Sequence, residues 1–467
     1  MAETDTAQAQ KDTGSGSRLD GFVSRASQLA FGKSERASAA RGALFAFGIR
    51  AFSAVMAYAL HIVLARLLGD FSFGIYVTAW TWVVLIGSIS PLGLHIAVVR
   101  FVGEYEAAGD EARLRGVVIG VPVIVTGLAV AVAVIGVATI HAFPGLLSQP
   151  FMVPVTIAAF CLPLFALSEA QDGVARAFGW NGVALIPVYL QRPLVVLAVM
   201  GVLLLAGWPA DAPSAMIATV LASLSVVIVQ AVFIITRLRH KLPAGPRVFT
   251  PKAWFAVSLP ILFVEGFYLL LTNTDIAMLG FLVPPEQVSV YFAAAKTMVI
   301  VSFAYFAVRA SLERRFAKFY HAGDEEGFAA ALKDGTRWMF IPSVGFSILV
   351  VGAGYWLLGL YGEGFTAGLP VLGVLALGLV LRSAAGPTSS VLMMSGAQQQ
   401  TAFVYAGAFV ANIALNLLLI PRLGIMGAAT ATAITMGLEM LLLGTLVKRH
   451  TGVDVFIWSV LKPGGAR

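Results

Sequence analysis

The chain has 467 residues, of which 59% are hydrophobic and 12% charged, with a formal net charge of +7 and a mean hydropathy of +0.88. Soluble domains carry about a quarter charged residues, so this composition points to a membrane protein. It contains 31 Phe and 47 Gly, which excludes a solvated or disordered chain and suits close helix packing in lipid. Its single cysteine, Cys161, excludes an internal disulfide and a multi-cysteine metal site.

The first 41 residues are polar and lack an apolar core, so they read as a disordered cytoplasmic tail rather than a signal peptide. Within them, Arg18 to Lys33 has the pattern of a short helix lying on the inner leaflet. A spanning helix needs about 20 apolar residues, and about twelve runs meet that length. In order they are Ala43–Leu68, Gly74–Phe101, Val117–Phe143, Met152–Ala175, Ala184–Trp208 and Ala212–Ile235. After them come Trp254–Val283, Val288–Leu312, Trp338–Leu360, Ala367–Met394, Ala402–Ile420 and Ile425–Val447.

Basic residues cluster in alternate loops, among them Arg113, Arg115, Arg176, Arg237, Arg239, Lys241, Arg314, Arg315 and Lys333. The opposite loops hold Asp70, Asp211, Glu286 and Glu363, with Arg422 and Arg66 as their basic residues. This asymmetry orients both termini to the cytoplasm. It also accounts for the net charge without nucleic acid. The proline-rich stretch 238–252 reads as a cytoplasmic linker between two six-helix bundles, 42–237 and 253–448, followed by a cytoplasmic tail, 449–467. The halves look related. ARLLGDFSFGIYVTA in the first and AMLGFLVPPEQVSVYFAAA in the second share Leu-Gly, a short loop, then Tyr and small residues. An even helix number per half makes these parallel repeats. The expected fold is therefore all-α and polytopic, with two bundles around a central cavity.

Ionisable groups inside the bilayer are costly and mark functional sites. In the seventh run Glu265, Tyr268, Thr272 and Asp275 share one helix face. Lys296 in the eighth run lies at a depth similar to Asp275, so the two form a candidate pair. Two readings stand: an ion pair that locks the helices, or a proton- or sodium-responsive switch at Asp275 or Glu265. Arg50, Arg192, Arg309 and Arg382 are the intramembrane cations. The first three lie where snorkelling to headgroups is also open to them. Arg382 lies nearer mid-membrane, and a guanidinium in a wet cavity suits phosphate oxygens. Glu439 in the last run has no partner evident from spacing. Prolines such as Pro122, Pro260, Pro342 and Pro387 suggest kinks. No Gly-rich phosphate loop, His-Glu-x-x-His motif or His/Cys cluster is present, so no enzyme activity, metal or cofactor is expected.

Four segments carry a family resemblance: ARLLGDFSFGIYVTA, GLHIAVVRFVGEYEAAGD, SLPILFVEGFYLLLTNTDIAMLGFLVPPEQVSVYFAAAK and NLLLIPRLGIMGAATATAI. Together they resemble the polysaccharide-export, or O-antigen-type, oligosaccharide flippases. That family belongs to the superfamily of multidrug, oligosaccharidyl-lipid and polysaccharide exporters. The resemblance implies alternating access in a bacterial inner membrane. Its cargo would be undecaprenyl-diphosphate-linked oligosaccharide for O-antigen, capsule or exopolysaccharide. Membrane lipid, a polysaccharide polymerase and export machinery are the implied partners. It also implies an acidic residue at the place of Asp275. Arg50 and Arg382 are the expected headgroup contacts, with Arg192 and Arg309 as further candidates. Three alternatives stand beside this: a multidrug or metabolite antiporter, a membrane polymerase or glycosyltransferase, and a non-transporting scaffold.

Overall fold

The structure is a computed structural model, and it describes residues 35–143, 145–301 and 324–461, with isolated positions between 302 and 323. Residues 1–55 and 56–467 form separate compact units. The contacts below all lie within the second.

The first helix, α1 (Glu35–Ile89), breaks at Gly69, where φ is 72° and ψ is 170°. A straight helix of 55 residues would run far beyond the roughly 30 Å hydrocarbon layer. The break separates the first expected span from the second, which ends its first part at Ile89, turns at Ser90–Gly93 and resumes in the next helix. Gly tolerates this left-handed φ without a Cβ penalty. The chain continues as α2 (Leu94–Ala107), α3 (Glu111–Ala142), α4 (Gln149–Ala159), α5 (Cys161–Ala177), α6 (Asn181–Ile186), a π turn (Pro187–Gln191), α7 (Arg192–Leu205) and α8 (Ala212–Lys241). The second half comprises α9 (Pro251–Leu282), α10 (Pro285–Thr297), α11 (Glu325–Gly352) and α12 (Gly354–Gly359). A 3₁₀ turn (Glu363–Gly368) leads to α13 (Leu369–Ser383), α14 (Thr388–Met394), α15 (Gln398–Leu423), α16 (Ile425–Thr451) and α17 (Ile457–Val460). No strand occurs among the described residues.

Local chemistry sets several helix starts. Asp110 accepts a hydrogen bond from the Arg113 amide at 2.9 Å. Asp211 does the same for Ser214 at 3.0 Å, and Asp324 for Gly327 at 2.8 Å. Each satisfies an otherwise orphaned amide of the first turn. Pro251 and Pro285 open α9 and α10, where the missing amide costs nothing.

Nine described helices are long and apolar enough to cross a bilayer, or ten if the bent pair Pro251–Phe263 and Glu265–Leu282 is one span. The first of the nine, Phe52–Ala107, contains the Gly69 break. The expected eighth run starts as α10 and continues into residues outside the description. The protein is thus an all-α, multi-pass membrane protein.

Packing falls into two lobes. In one, α2, α3, α5, α7 and α8 contact one another; in the other, α9, α11, α13, α15 and α16 do. α9 also meets α2, so it links the lobes. The interior is built from apolar side chains such as Leu64, Phe73, Met200, Met216, Leu279 and Phe292, all almost fully buried. In lipid such a core gains from close packing rather than from escape from water.

The expected linker and the expected tail both carry contacts. The Val248 amide donates to the Ala112 carbonyl at 3.0 Å, and Arg115 Nε donates to the Pro243 carbonyl at 2.7 Å. At the other end, Val455, Phe456, Ile457 and Val460 of the expected tail are buried against the second lobe.

The lobes meet along a seam at the end that carries Asp70, Glu286 and Glu363. Arg66 donates through Nε to the Leu360 carbonyl at 2.5 Å and through Nη2 to the Gly359 carbonyl at 3.0 Å. The Tyr58 hydroxyl bonds the Thr297 hydroxyl at 3.1 Å. Phe73 sits among Phe292, Tyr361 and Phe365. Gly74 lies directly on Pro285, where any Cβ would overlap the Pro285 carbonyl.

Candidate functional site

A cavity of about 390 Å³ lies within the second lobe. Five elements supply its polar groups. α9 contributes Tyr268, Thr272, Asn273 and Asp275; α10 contributes Lys296; α13 contributes Arg382; and α15 with α16 contributes Asn412, Thr432, Thr435 and Glu439. Leu271, Ile276, Leu375, Leu379 and Met436 form its apolar wall. Three of the four residues on the expected polar face of α9 therefore line one cavity. Glu265 does not: it is exposed, outside this lining.

Arg382 occupies the last turn of α13. Its Nη2 lies 3.1 Å from Glu439 Oε1, with side-chain exposures of 16% and 4%. The same nitrogen approaches the Tyr268 hydroxyl at 3.4 Å, and the guanidinium lies 5.3 Å over the Tyr268 ring. A carboxylate this buried needs a countercharge, because the desolvation cost of each ion is several kcal/mol. Glu439, without a visible partner in the sequence, thus has one in Arg382.

Asp275 is buried, with 6% exposure. It accepts from the Tyr291 hydroxyl and from the Ile276 amide at 2.9 Å. Lys296 makes no ion pair with Asp275 or any other described acidic residue; its ammonium stands 4.9 Å over the Phe292 ring. The candidate Asp275–Lys296 pair is therefore not formed, although both groups line the same space. Tyr291 satisfies the carboxylate instead, leaving the lysine with a cation–π contact.

The remaining polar wall comes from α15 and α16. Asn412 donates to the Thr435 hydroxyl at 3.3 Å, and Asn416 donates to Asn412 Oδ1 at 2.9 Å. The available signal was the i,i+4 repeat of Asn412 and Asn416, and the Thr432, Thr435, Glu439 series at i, i+3 and i+7.

Arg192 sits elsewhere, in the first lobe, just after the π turn. Its guanidinium lies 5.9 Å from the Trp80 ring and 5.5 Å from the Phe165 ring, and Nη2 reaches the Ser168 hydroxyl at 3.5 Å. Its Nε has no hydrogen-bond partner among the described residues. Arg309 and the side chain of Arg50 lie outside the described residues. No group of three or more metal-ligating side chains occurs among the described residues.

A family model described as polysaccharide biosynthesis protein matches residues 39–312, and the MatE model matches residues 260–418. No curated protein sequence matches the chain. Among solved structures, it is similar to an inward-facing multidrug resistance MATE family transporter of the MOP superfamily. That match has 12% identity and a TM-score of 0.71, covering 86% of this chain and 94% of the other. The lipid II flippase MurJ in an inward closed conformation matches at 14% identity and a TM-score of 0.65, covering 87% of each chain. A MOP superfamily transporter from Pyrococcus furiosus, described as having a binding pocket of reverse polarity, matches at 12% identity and a TM-score of 0.59. It covers 91% of this chain and 97% of that one. At these identities the structural likeness establishes the fold. The polysaccharide biosynthesis model spans more than half of the chain, so the protein belongs to the polysaccharide biosynthesis protein family.

Proposed function

We propose that the protein is a flippase that moves undecaprenyl-diphosphate-linked oligosaccharide from the cytoplasmic to the periplasmic leaflet of a bacterial inner membrane. The observation that carries this reading is the second-lobe cavity, where Arg382 and Lys296 face the same space. The arginine is balanced by Glu439, while the lysine has no ion-pair partner among the described residues. A diphosphate headgroup would be met by these two cations, and its lipid tail can stay in the bilayer. In this reading Lys296 supplies a point charge not held in a contact ion pair and Arg382 a planar donor fork. Asp275, tied to Tyr291, acts within the cavity wall rather than as the lysine's partner.

The shut outer seam supports alternating access. Arg66 holds neutral carbonyls of α12 and the following residue rather than a carboxylate. Such bonds can be exchanged for water without stranding a buried counter-charge. Coupling to a proton or sodium gradient belongs to the same proposal, with Asp275 and Glu439 as the candidate groups.

A second reading, a cation antiporter of the same superfamily, draws on the MatE match over residues 260–418 and on the two carboxylates in the cavity. Deletion of the gene separates the readings. Under the flippase reading, undecaprenyl-linked glycan accumulates where an impermeant glycosidase added to spheroplasts cannot reach it. The wild-type gene restores access, and Lys296→Met or Arg382→Ala at normal protein levels does not. Unchanged glycan exposure in a strain with no second flippase overturns the proposal and favours the antiporter.

A further inference from the structure

The segment that follows α16 does more than trail from the membrane. After Gly452 the chain turns back beneath the second lobe and touches three helices. Lys448 at the end of α16 pairs with Asp454 at 2.8 Å. Phe456 packs on Gly444 of the same helix, where a Cβ would stand 2.5 Å from the ring. Arg337 of α11 donates to the Val460 carbonyl at 2.5 Å. The Ile457 amide donates to the Ala384 carbonyl at 2.8 Å.

That last bond falls at a particular place. Ala384 is the C-cap of α13, two residues beyond Arg382. From Ala384 to Pro387 the span is interrupted before α14 begins. The interruption includes Gly386, whose φ of 66° is left-handed and favours glycine. Gly386 lies against Thr336 of α11, where a Cβ would overlap the threonine side chain. Thr336 precedes Arg337, the residue that holds Val460. The contacts therefore close a ring: α11 holds the interruption through Thr336 and holds the returning segment through Arg337, while the returning segment holds the interruption through Ile457.

From this ring we infer that residues 454–460 form a positioning strap, which fixes the α13–α14 interruption and thereby aims Arg382 at the cavity. The inference rests on the role given to Arg382 under the proposed function. Arg382 sits on the last turn of a helix whose continuation is broken, so its backbone is held from one side by α13 alone. The strap supplies the other side. Ile457, Phe456, Val455 and Val460 are its positioning residues, and none lines the cavity.

Ile457 is the first residue of α17, a position where proline keeps helical geometry. Ile457→Pro therefore removes the amide donor without unwinding the strap, and Ile457→Ala controls for the lost side chain. Arg337→Gln is a second variant that leaves Ile457 intact. The wild-type protein and variants are compared in lipid nanodiscs by amide hydrogen exchange across 383–388 and by binding of undecaprenyl diphosphate. Ile457→Pro is expected to exchange about fivefold faster over 383–388 than Ile457→Ala, the worth of one neutral hydrogen bond. It is also expected to weaken undecaprenyl diphosphate binding, with no further weakening in an Arg382→Ala background. A strap that serves only overall stability would lower affinity equally in both backgrounds, and that result overturns the inference. Unchanged exchange over 383–388 in both Ile457→Pro and Arg337→Gln overturns it as well. If the wild-type protein does not bind undecaprenyl diphosphate, the proposed function fails, and hydrogen exchange alone decides whether the strap holds the interruption.

Discussion

Arg382 and Glu439 lie 3.1 Å apart between α13 and α16, and the carboxylate is only 4% exposed. Breaking such a pair by removing one partner strands a buried charge, at a cost of about 3–5 kcal/mol. Arg382→Ala is therefore expected to lower thermal stability in detergent strongly. Replacing both residues together, as Arg382→Met with Glu439→Leu, is expected to recover much of that loss. Export should remain absent in the double variant. The pair of measurements, melting temperature and glycan export, thus separates stability from ligand contact.

Lys296 makes the contrasting case. Without an ion-pair partner among the described residues and with a ring contact at 4.9 Å, its loss strands no carboxylate. Lys296→Met is expected to change stability by about 1 kcal/mol or less and still to abolish or sharply reduce export. A large fall in melting temperature for this variant would show that the ammonium is structural.

Tyr291 donates its hydroxyl to Asp275. Tyr291→Phe leaves the ring in place but removes the donor from a buried carboxylate, with an expected cost of about 1–3 kcal/mol. Asp275→Asn in the same protein should restore part of it, because a neutral amide tolerates burial better than an unsatisfied carboxylate. Thermal unfolding of the single and double variants checks the coupling.

Gly74 and Pro285 touch without room for a Cβ. Gly74→Val is expected to prevent the outer seam from closing as seen here. Phe365→Cys, at a position buried in that seam, should then react with an impermeant maleimide added from outside. Cys161 is buried and provides a low background. Equal labelling of Phe365→Cys with and without Gly74→Val would count against the seam as the outer gate.

Asp454 gives a pH-dependent handle on the strap. Burial raises its carboxyl, but hydrogen bonds from Lys448, Ser459 and the Phe456 amide outweigh that and hold it below the usual aspartate range. The stabilisation is therefore present above the ordinary value of about 4 and fades as pH falls below it. The melting-temperature difference between wild type and Asp454→Asn should be constant near neutrality and shrink on acidification through that range.

Much of the fold was legible because lipid imposes a simple rule: runs of about 20 apolar residues cross it. Gathering of Asp275, Lys296, Arg382 and Glu439 in one cavity followed from the cost of polar groups in lipid, which drives them towards shared wet space. What depth along a helix cannot reveal is rotation about its axis. Tyr291 and Lys296 are separated by five residues, or about 140° around the helix. Depth suggests the lysine as partner of Asp275, whereas rotation favours the tyrosine. The docked tail was hidden for a different reason. VFIW, 455–458, is too short to read as a span, and the burial of Val455, Phe456 and Ile457 depends on partners such as Gly444 and Ala384 in other elements. Arg192 reads from the sequence as a cation near the headgroups; its two ring neighbours come from distant helices that hydropathy cannot pair.

The most direct measurement is transbilayer movement in proteoliposomes containing the purified protein and a fluorescent undecaprenyl-diphosphate-linked oligosaccharide. An impermeant glycosidase reads the fraction exposed outside. The account predicts that wild-type protein makes the inner pool accessible far faster than protein-free liposomes, and that Lys296→Met and Arg382→Ala do not. Wild-type protein that moves this lipid no faster than empty liposomes, yet exchanges an organic cation against protons or sodium, would contradict it.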